Sequence, residues 1–136
     1  MIVDSSAIVA ILKGEPEADD FLDALEAAAV CRMSAASFLE TAIVIDNLKN
    51  PVASREFDDV IRETGIGIEP VTAEQVRVAR DAYRDFGKRK GKARLNFGDC
   101  FAYALAKTTG EPLLFKGNNF IHTDVTPAIQ SRTRRH

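Results

Sequence analysis

Four acidic residues stand apart from other charge in this chain. Asp4 is the only Lys, Arg, Asp or Glu in residues 1–12, and Glu40 is the only one between Arg32 and Asp46. Asp99 holds the same position between Arg94 and Lys107, and Asp124 between Lys116 and Arg132. Surface carboxylates usually sit among other charges. A lone acid in an apolar run is partly desolvated, which costs free energy unless a partner compensates. Several such acids brought together most naturally share a cation. Carboxylates without histidine or thiolate make a hard oxygen site, suited to Mg2+ or Mn2+. An ion of that kind orients water and neutralises phosphate charge, so the chemistry indicated is metal-assisted phosphodiester hydrolysis.

The elements between these acids must position them. Residues 1–3 read as a strand ending at Asp4, and residues 5–12 as a helix stopped by Gly14. Pro16 suits the first turn of a second helix to about residue 28. A strand over 30–33 leads to a helix capped by Ser34 and running to about residue 48. Pro51 starts another helix, and residues 66–71 alternate as a strand. Thr72 and Gln75 have the spacing of a capping box for a helix through about Phe86. Asn96 opens a helix over 97–108, Gly110 suits its C-terminus, and residues 112–115 form a fourth strand. Val125 marks a short fifth one.

Strands alternating with helices predict an α/β sandwich with a mostly parallel sheet of about five strands flanked by helices. Ligands of such sheets bind beyond the carboxyl ends of the strands. Asp4 follows the first strand directly. Glu40 lies within two turns of the second strand, roughly 10 Å from that edge at ~1.5 Å per residue. The helix carrying Asp99 must run back toward the start of the fourth strand, so its own N-terminus faces the same edge. Asp124 follows the loop that leaves the fourth strand. Capping offers another explanation for each acid singly: Asp4 as an N-cap, Glu40 with Ser37, Asp99 with Asn96. Capping does not account for the apolar run around each one, nor for their convergence on one edge.

At 136 residues the chain is long enough for one domain with a single core, spanning 1–136, with residues 131–136 a candidate disordered basic tail. No apolar run approaches the ~18 residues of a membrane span, and no basic, apolar leader precedes the first strand. Both features point to the cytoplasm. Cys31 and Cys100 have no metal-ligand spacing and read as buried thiols. With two histidines, one of them His136, a histidine-rich zinc site is excluded. His122 reads as a loop residue. Tyr83, Phe86, Phe97 and Tyr103 read as core rather than base-stacking residues. No phosphate-binding GxxxxGK[ST] loop and no Gly-rich dinucleotide fingerprint exist. A phosphohydrolase using Asp4 as nucleophile lacks its second aspartate, since residue 6 is serine.

The net charge of −2 hides opposed halves. Residues 1–70 hold 14 acids and 5 bases, and residues 71–136 hold 6 acids and 13 bases. The halves either pair with each other or leave a basic face for a polyanion. Lys88, Arg89, Lys90, Lys92 and Arg94 immediately precede the Asp99 helix, where they would hold a nucleic-acid backbone over the acids. A solvated loop is the bland alternative. Arg132, Arg134 and Arg135 form a second basic group.

Four motifs in order, MIVDSSA at 1–7, SFLET at 37–41, LNFGDCFAYA at 95–104 and PLLFKGNNF at 112–120, resemble PIN-domain ribonucleases. More narrowly they are similar to VapC toxins of bacterial VapBC toxin–antitoxin pairs. The resemblance implies a PIN-like three-layer sandwich and a Mg2+- or Mn2+-dependent endoribonuclease acting on structured RNA or mRNA. It implies a VapB-like antitoxin that blocks the site, and a homodimer. It makes Asp4 and Asp99 the main metal ligands and Glu40 a ligand or general-base helper. The chain departs from the pattern after the fourth strand, where relatives commonly carry an aspartate and this sequence has Asn118 and Asn119. Asn119 offers a neutral oxygen, and Asp124 is the alternative acid for that corner. A PIN-like module that binds RNA or a partner without cutting is the second reading this departure motivates.

Overall fold

The computed structural model describes residues 1–87 and 91–129. Lys88, Arg89 and Lys90 of the basic tract, and the tail over 131–136, lie outside the described residues.

Four strands form one parallel sheet in the order β3-β2-β1-β4. They are β1 (Ile2–Val3), β2 (Arg32–Ser34), β3 (Gly67–Glu69) and β4 (Leu113–Leu114). Ile2 pairs with Arg32 on one side and Leu113 on the other, and Met33 pairs with Ile68. The helices are α1 (Ser5–Leu12), α2 (Ala18–Ala27), α3 (Ala35–Asp46), α4 (Pro51–Glu63), α5 (Ala73–Phe86) and α6 (Phe97–Thr109). The α/β class, the parallel sheet and the order of elements match the sequence reading. The fifth strand near Val125 does not form among the described residues: the chain there makes a single bridge, Leu113 to Pro127. Leu113 donates to the Thr126 carbonyl and accepts from the Ala128 amide, and this pairing extends no further among the described residues.

The period of two along each short strand divides the core into two layers. Ile2 and Leu113 face α5 and α6, where they pack with Ala79, Ala82, Leu95, Ala102, Leu105 and Phe120. Val3, Met33 and Leu114 face the other way, onto Ala7, Ile8, Phe21, Leu25, Ile45 and Phe57 of α1–α4. The result is a three-layer sandwich. The acid-rich first half supplies one helical layer and the base-rich second half the other. Ion pairs cross between the halves: Lys116 meets Glu15 and Glu17, and Arg32 meets Glu111 at 3.7 Å. Among the described residues no helix is long and apolar enough to cross a membrane.

Local chemistry sets the helix ends. Asp4 caps α1, Ser34 caps α3 and Asn50 caps α4, with Pro51 at its first position. Thr72 caps α5 by accepting from the Gln75 amide. Asn96 and Asp99 make a reciprocal capping box on α6, and Gly110 ends that helix in the left-handed conformation at φ 70. Ser34 occupies the cap of α3, so Glu40 is free of the capping box with Ser37 that its spacing allows.

Candidate metal and nucleic-acid site

The strand order contains one switch point. From β1 the chain moves to β2 and β3 on one side, then crosses back to β4 on the other. In parallel α/β sheets the carboxyl ends of the strands at such a point border the ligand-binding crevice. Asp4 follows β1 at this crevice, and the loop holding Asn119 follows β4. Helix α6 runs into β4, so its N-terminus, with Asp99 in the first turn, returns to the same edge.

Asp4 is 2% exposed. Its Oδ2 accepts from the Ser6 amide at 3.0 Å, while buried Oδ1 has no hydrogen-bond partner among the described residues. Burial pushes the Asp4 carboxyl up to about 7 from 3.8, against the hydrogen bonds from Ser6, and the charges of Asp99 and Glu40 push it further. Asp99 and Glu40 thus both lie within electrostatic reach of Asp4.

Asp99 is 9% exposed. Its Oδ2 accepts from the Asn96 amide at 3.0 Å and from Asn119 Nδ2 at 2.9 Å. Glu40 Oε1 accepts from Ser5 Oγ at 2.8 Å. Asp4 and Asp99 therefore each cap a helix at this edge, as the capping reading of each acid expects. Among the described residues no three His, Cys, Asp or Glu side chains stand as a ready ligand cluster. The acids adjoin, with Glu40 and Asp99 each held by a neutral donor. The donor set nonetheless fits a hard divalent cation: it is all oxygen, and Asp4 offers a buried oxygen with nothing to accept from.

Asp124 is placed differently from the expectation that it shares this corner. Its carboxylate accepts from the Tyr103 hydroxyl and pairs with Lys107 at 3.0 Å, farther along α6 than Asp99. Burial raises its pKa, but Tyr103 and Lys107 outweigh that and hold it below the ordinary value. Its isolation in sequence reflects a partner on the neighbouring helix. Asn119, rather than Asp124, reaches Asp99.

Lys92 and Arg94 are exposed in the segment joining α5 to α6. That segment is closed at its base by a Gly87–Leu95 bridge and a bond from the Leu95 amide to the Phe86 carbonyl, directly before the α6 cap. Tyr103 is core, as expected, and Phe86 packs against it. Tyr83 and Phe97 are corrected: they are 49% and 78% exposed. Phe97 is the first residue of α6, where its ring meets Phe101 edge-on at 5.0 Å instead of entering the core. Cys31 and Cys100 are free and buried, and burial with the nearby Asp99 charge pushes the Cys100 thiol up to about 11. His122 is exposed in the turn before Asp124.

Nothing in the lone-acid pattern singles out Ser5 or Gly98, yet both touch Glu40 or reserve its space. For Gly98 a signal exists: a glycine in the first turn of a helix, beside a key acid, calls for a reason.

The fold and site define a class: a parallel α/β sandwich whose carboxyl edge gathers acids from β1, α3 and α6. The chain belongs to the PIN-domain family, whose profile, described as "PIN domain", matches residues 1–125. It is 54% identical to Ribonuclease VapC28 of Mycobacterium tuberculosis over 133 residues, covering 97% of this chain and 100% of that protein. It is 50% identical to Ribonuclease VapC42 of the same organism, over 94% and 98% of the two chains. Among solved structures it resembles M. tuberculosis VapC20, described as a sarcin-ricin loop cleaving toxin, with TM-score 0.68, 17% identity and 88% and 91% coverage. A toxin–antitoxin complex from Klebsiella pneumoniae matches with TM-score 0.69 at 13% identity, over 90% and 92% of the chains. At those identities the structural likeness speaks to the fold alone.

Proposed function

We propose that this protein is a VapC-type toxin, a divalent-metal-dependent endoribonuclease that hydrolyses RNA phosphodiester bonds. The observation that carries the mechanism is the convergence of Asp4, Glu40 and Asp99 on the switch-point crevice, with Asp4 Oδ1 buried and unpartnered. The near full-length similarity to named ribonucleases supports the reaction class. Asp4 and Asp99 would hold the cation, Mg2+ with Mn2+ as substitute, and Glu40 would act as third ligand or as acceptor of the water's proton. Bound there, the cation would supply a nucleophilic water near neutral pH and neutralise charge on the phosphate. The chain's own part is to hold two carboxylates at helix starts and one within α3, where little reorganisation is needed. Lys92 and Arg94, with Lys88, Arg89 and Lys90, would hold the RNA backbone across the crevice.

The partners proposed are an RNA substrate, a VapB-like antitoxin and a second copy of this chain, in the cytoplasm. The near full-length similarity to proteins named VapC ribonucleases supports the antitoxin. The test is cleavage of total RNA with Mg2+ or Mn2+ by wild type and Asp99→Asn. The expected result is loss of cleavage in the variant and in EDTA. Equal cleavage by both proteins, or cleavage that persists in EDTA, overturns the mechanism.

One observation favours a second reading, a PIN-like module that binds without cutting. Asn119 contributes a neutral amide to Asp99 where an acid would add charge. Calorimetry separates the two: RNA binding without divalent-cation binding at millimolar concentration selects the second.

A further inference from the structure

Gly98 sits in the first turn of α6 and is buried. Glycine inside a helix costs about 1 kcal/mol relative to alanine. Its backbone does not call for glycine, because Gly98 is not among the residues with positive φ. What occupies the space of the missing side chain is the Glu40 carboxylate. A Cβ on Gly98 would collide with Glu40 Oε2 and lie 2.6 Å from Cδ and 2.7 Å from Oε1. On its other side the same carboxylate accepts a hydrogen bond from Ser5 Oγ at 2.8 Å, and Ser5 is the residue next to Asp4.

We infer that Gly98 and Ser5 are positioning residues that together seat the Glu40 carboxylate between the starts of α1 and α6, beside Asp4 and Asp99. Gly98 does so by leaving room, and Ser5 by donating a hydrogen bond. Both starts favour negative charge through their exposed amides and the helix dipole. Glu40 reaches the crevice from an α3 that is otherwise packed on the opposite layer, so its long side chain needs fixing at its tip. The inference rests on the reading that Glu40 serves the metal site. It adds which neighbours give Glu40 one position.

The obstructing atoms on Glu40 are the far end of a flexible side chain. Gly98→Ala should therefore fold and displace Glu40 rather than unfold α6. Mn2+ affinity, measured by calorimetry on the full chain, is expected to fall by about 10–100-fold, the usual effect of losing support behind a metal ligand. In a Glu40→Ala background, Gly98→Ala is expected to cost no further affinity. It should also raise the melting temperature more there than in wild type, since the helix gain is no longer offset by a clash. Ser5→Ala should weaken Mn2+ binding, and Ser5→Thr, which keeps the hydroxyl, should restore it. Equal affinity losses for Gly98→Ala with and without Glu40, or the same change in melting temperature in both backgrounds, overturn the inference. If Glu40→Ala leaves Mn2+ binding and RNA cleavage untouched, the functional reading of Glu40 fails. The melting-temperature comparison still decides whether Gly98 seats it.

Discussion

The side-chain amide of Asn119 donates to the carboxylate of Asp99 at 2.9 Å, bridging the loop after β4 to the first turn of α6. A neutral donor thus sits beside one of the two acids on which the proposed metal site most depends. In a cation-free site this contact is favourable, because it offsets part of the cost of gathering carboxylates.

Asn119→Asp should invert that balance. Two carboxylates would face each other with no donor between them, so the metal-free protein loses about 1–3 kcal/mol of stability. Divalent affinity should rise, because a third or fourth charge joins the oxygen set. Thermal melts in EDTA and Mn2+ calorimetry read the two effects. Unchanged Mn2+ affinity would remove Asn119 from the site.

Asp4→Asn should separate folding from activity. Asparagine caps a helix about as well as aspartate, and the change removes a buried charge whose ionisation the surroundings disfavour. The metal-free variant is expected to melt no lower than wild type at pH 8. RNA cleavage should drop by at least about 100-fold, the scale of losing a principal electrostatic group. A fall in melting temperature with activity intact would reverse the assignment.

Asp124 should behave as a structural acid. Its pKa is raised by burial but, on balance, lowered by Tyr103 and Lys107, while the Tyr103 phenol is raised above 10.0 by burial and by Asp124. A depressed carboxyl contributes stability above its unfolded value of 3.8, lost as pH falls through the folded value. The raised phenol contributes stability below its unfolded value of 10.0, lost as pH rises through the folded value. The melting-temperature gap between wild type and Asp124→Asn should be widest near pH 6–8 and close toward both extremes. With the carboxylate half exposed, its size is expected to stay under about 1 kcal/mol. Mn2+ affinity should match wild type, and a loss there would return Asp124 to the metal site.

Lys92→Gln should weaken RNA binding without changing Mn2+ affinity. The slope of log affinity against log salt should shrink by about 1, as for one lost phosphate contact. An unchanged slope would leave Lys92 a solvated loop residue.

Much of this molecule was legible in the chain because its signals are local. Hydrophobic period, caps at Ser34, Thr72 and Asn96, and the glycine at 110 depend on residues a few positions apart. They placed the helices within a few residues of their ends. Element alternation then implied a parallel sheet, and a parallel sheet implied which edge Asp4, Glu40 and Asp99 share. The strand near Val125 is reduced to one bridge to Leu113, since apolar content does not reveal how many residues pair. Phe97 and Tyr83 lie outside the core, because an aromatic in the first turn of α6 or the last turn of α5 carries no sign of the face it presents.

What the sequence determined by itself was that Asp4, Glu40 and Asp99 lie toward one edge of the sheet, a consequence of strand–helix order. Tertiary structure alone decided which residues each acid meets. Asp124 is isolated in sequence like the others, yet Lys107 and Tyr103 claim it across a packing contact that no spacing rule anticipates. Asn119, uncharged and therefore invisible to a search for lone acids, reaches Asp99 instead. The space beside Gly98 exists only because α3 and α6 meet at the crevice. Such choices depend on distances between residues far apart in the chain, and those distances are fixed by packing rather than by local sequence.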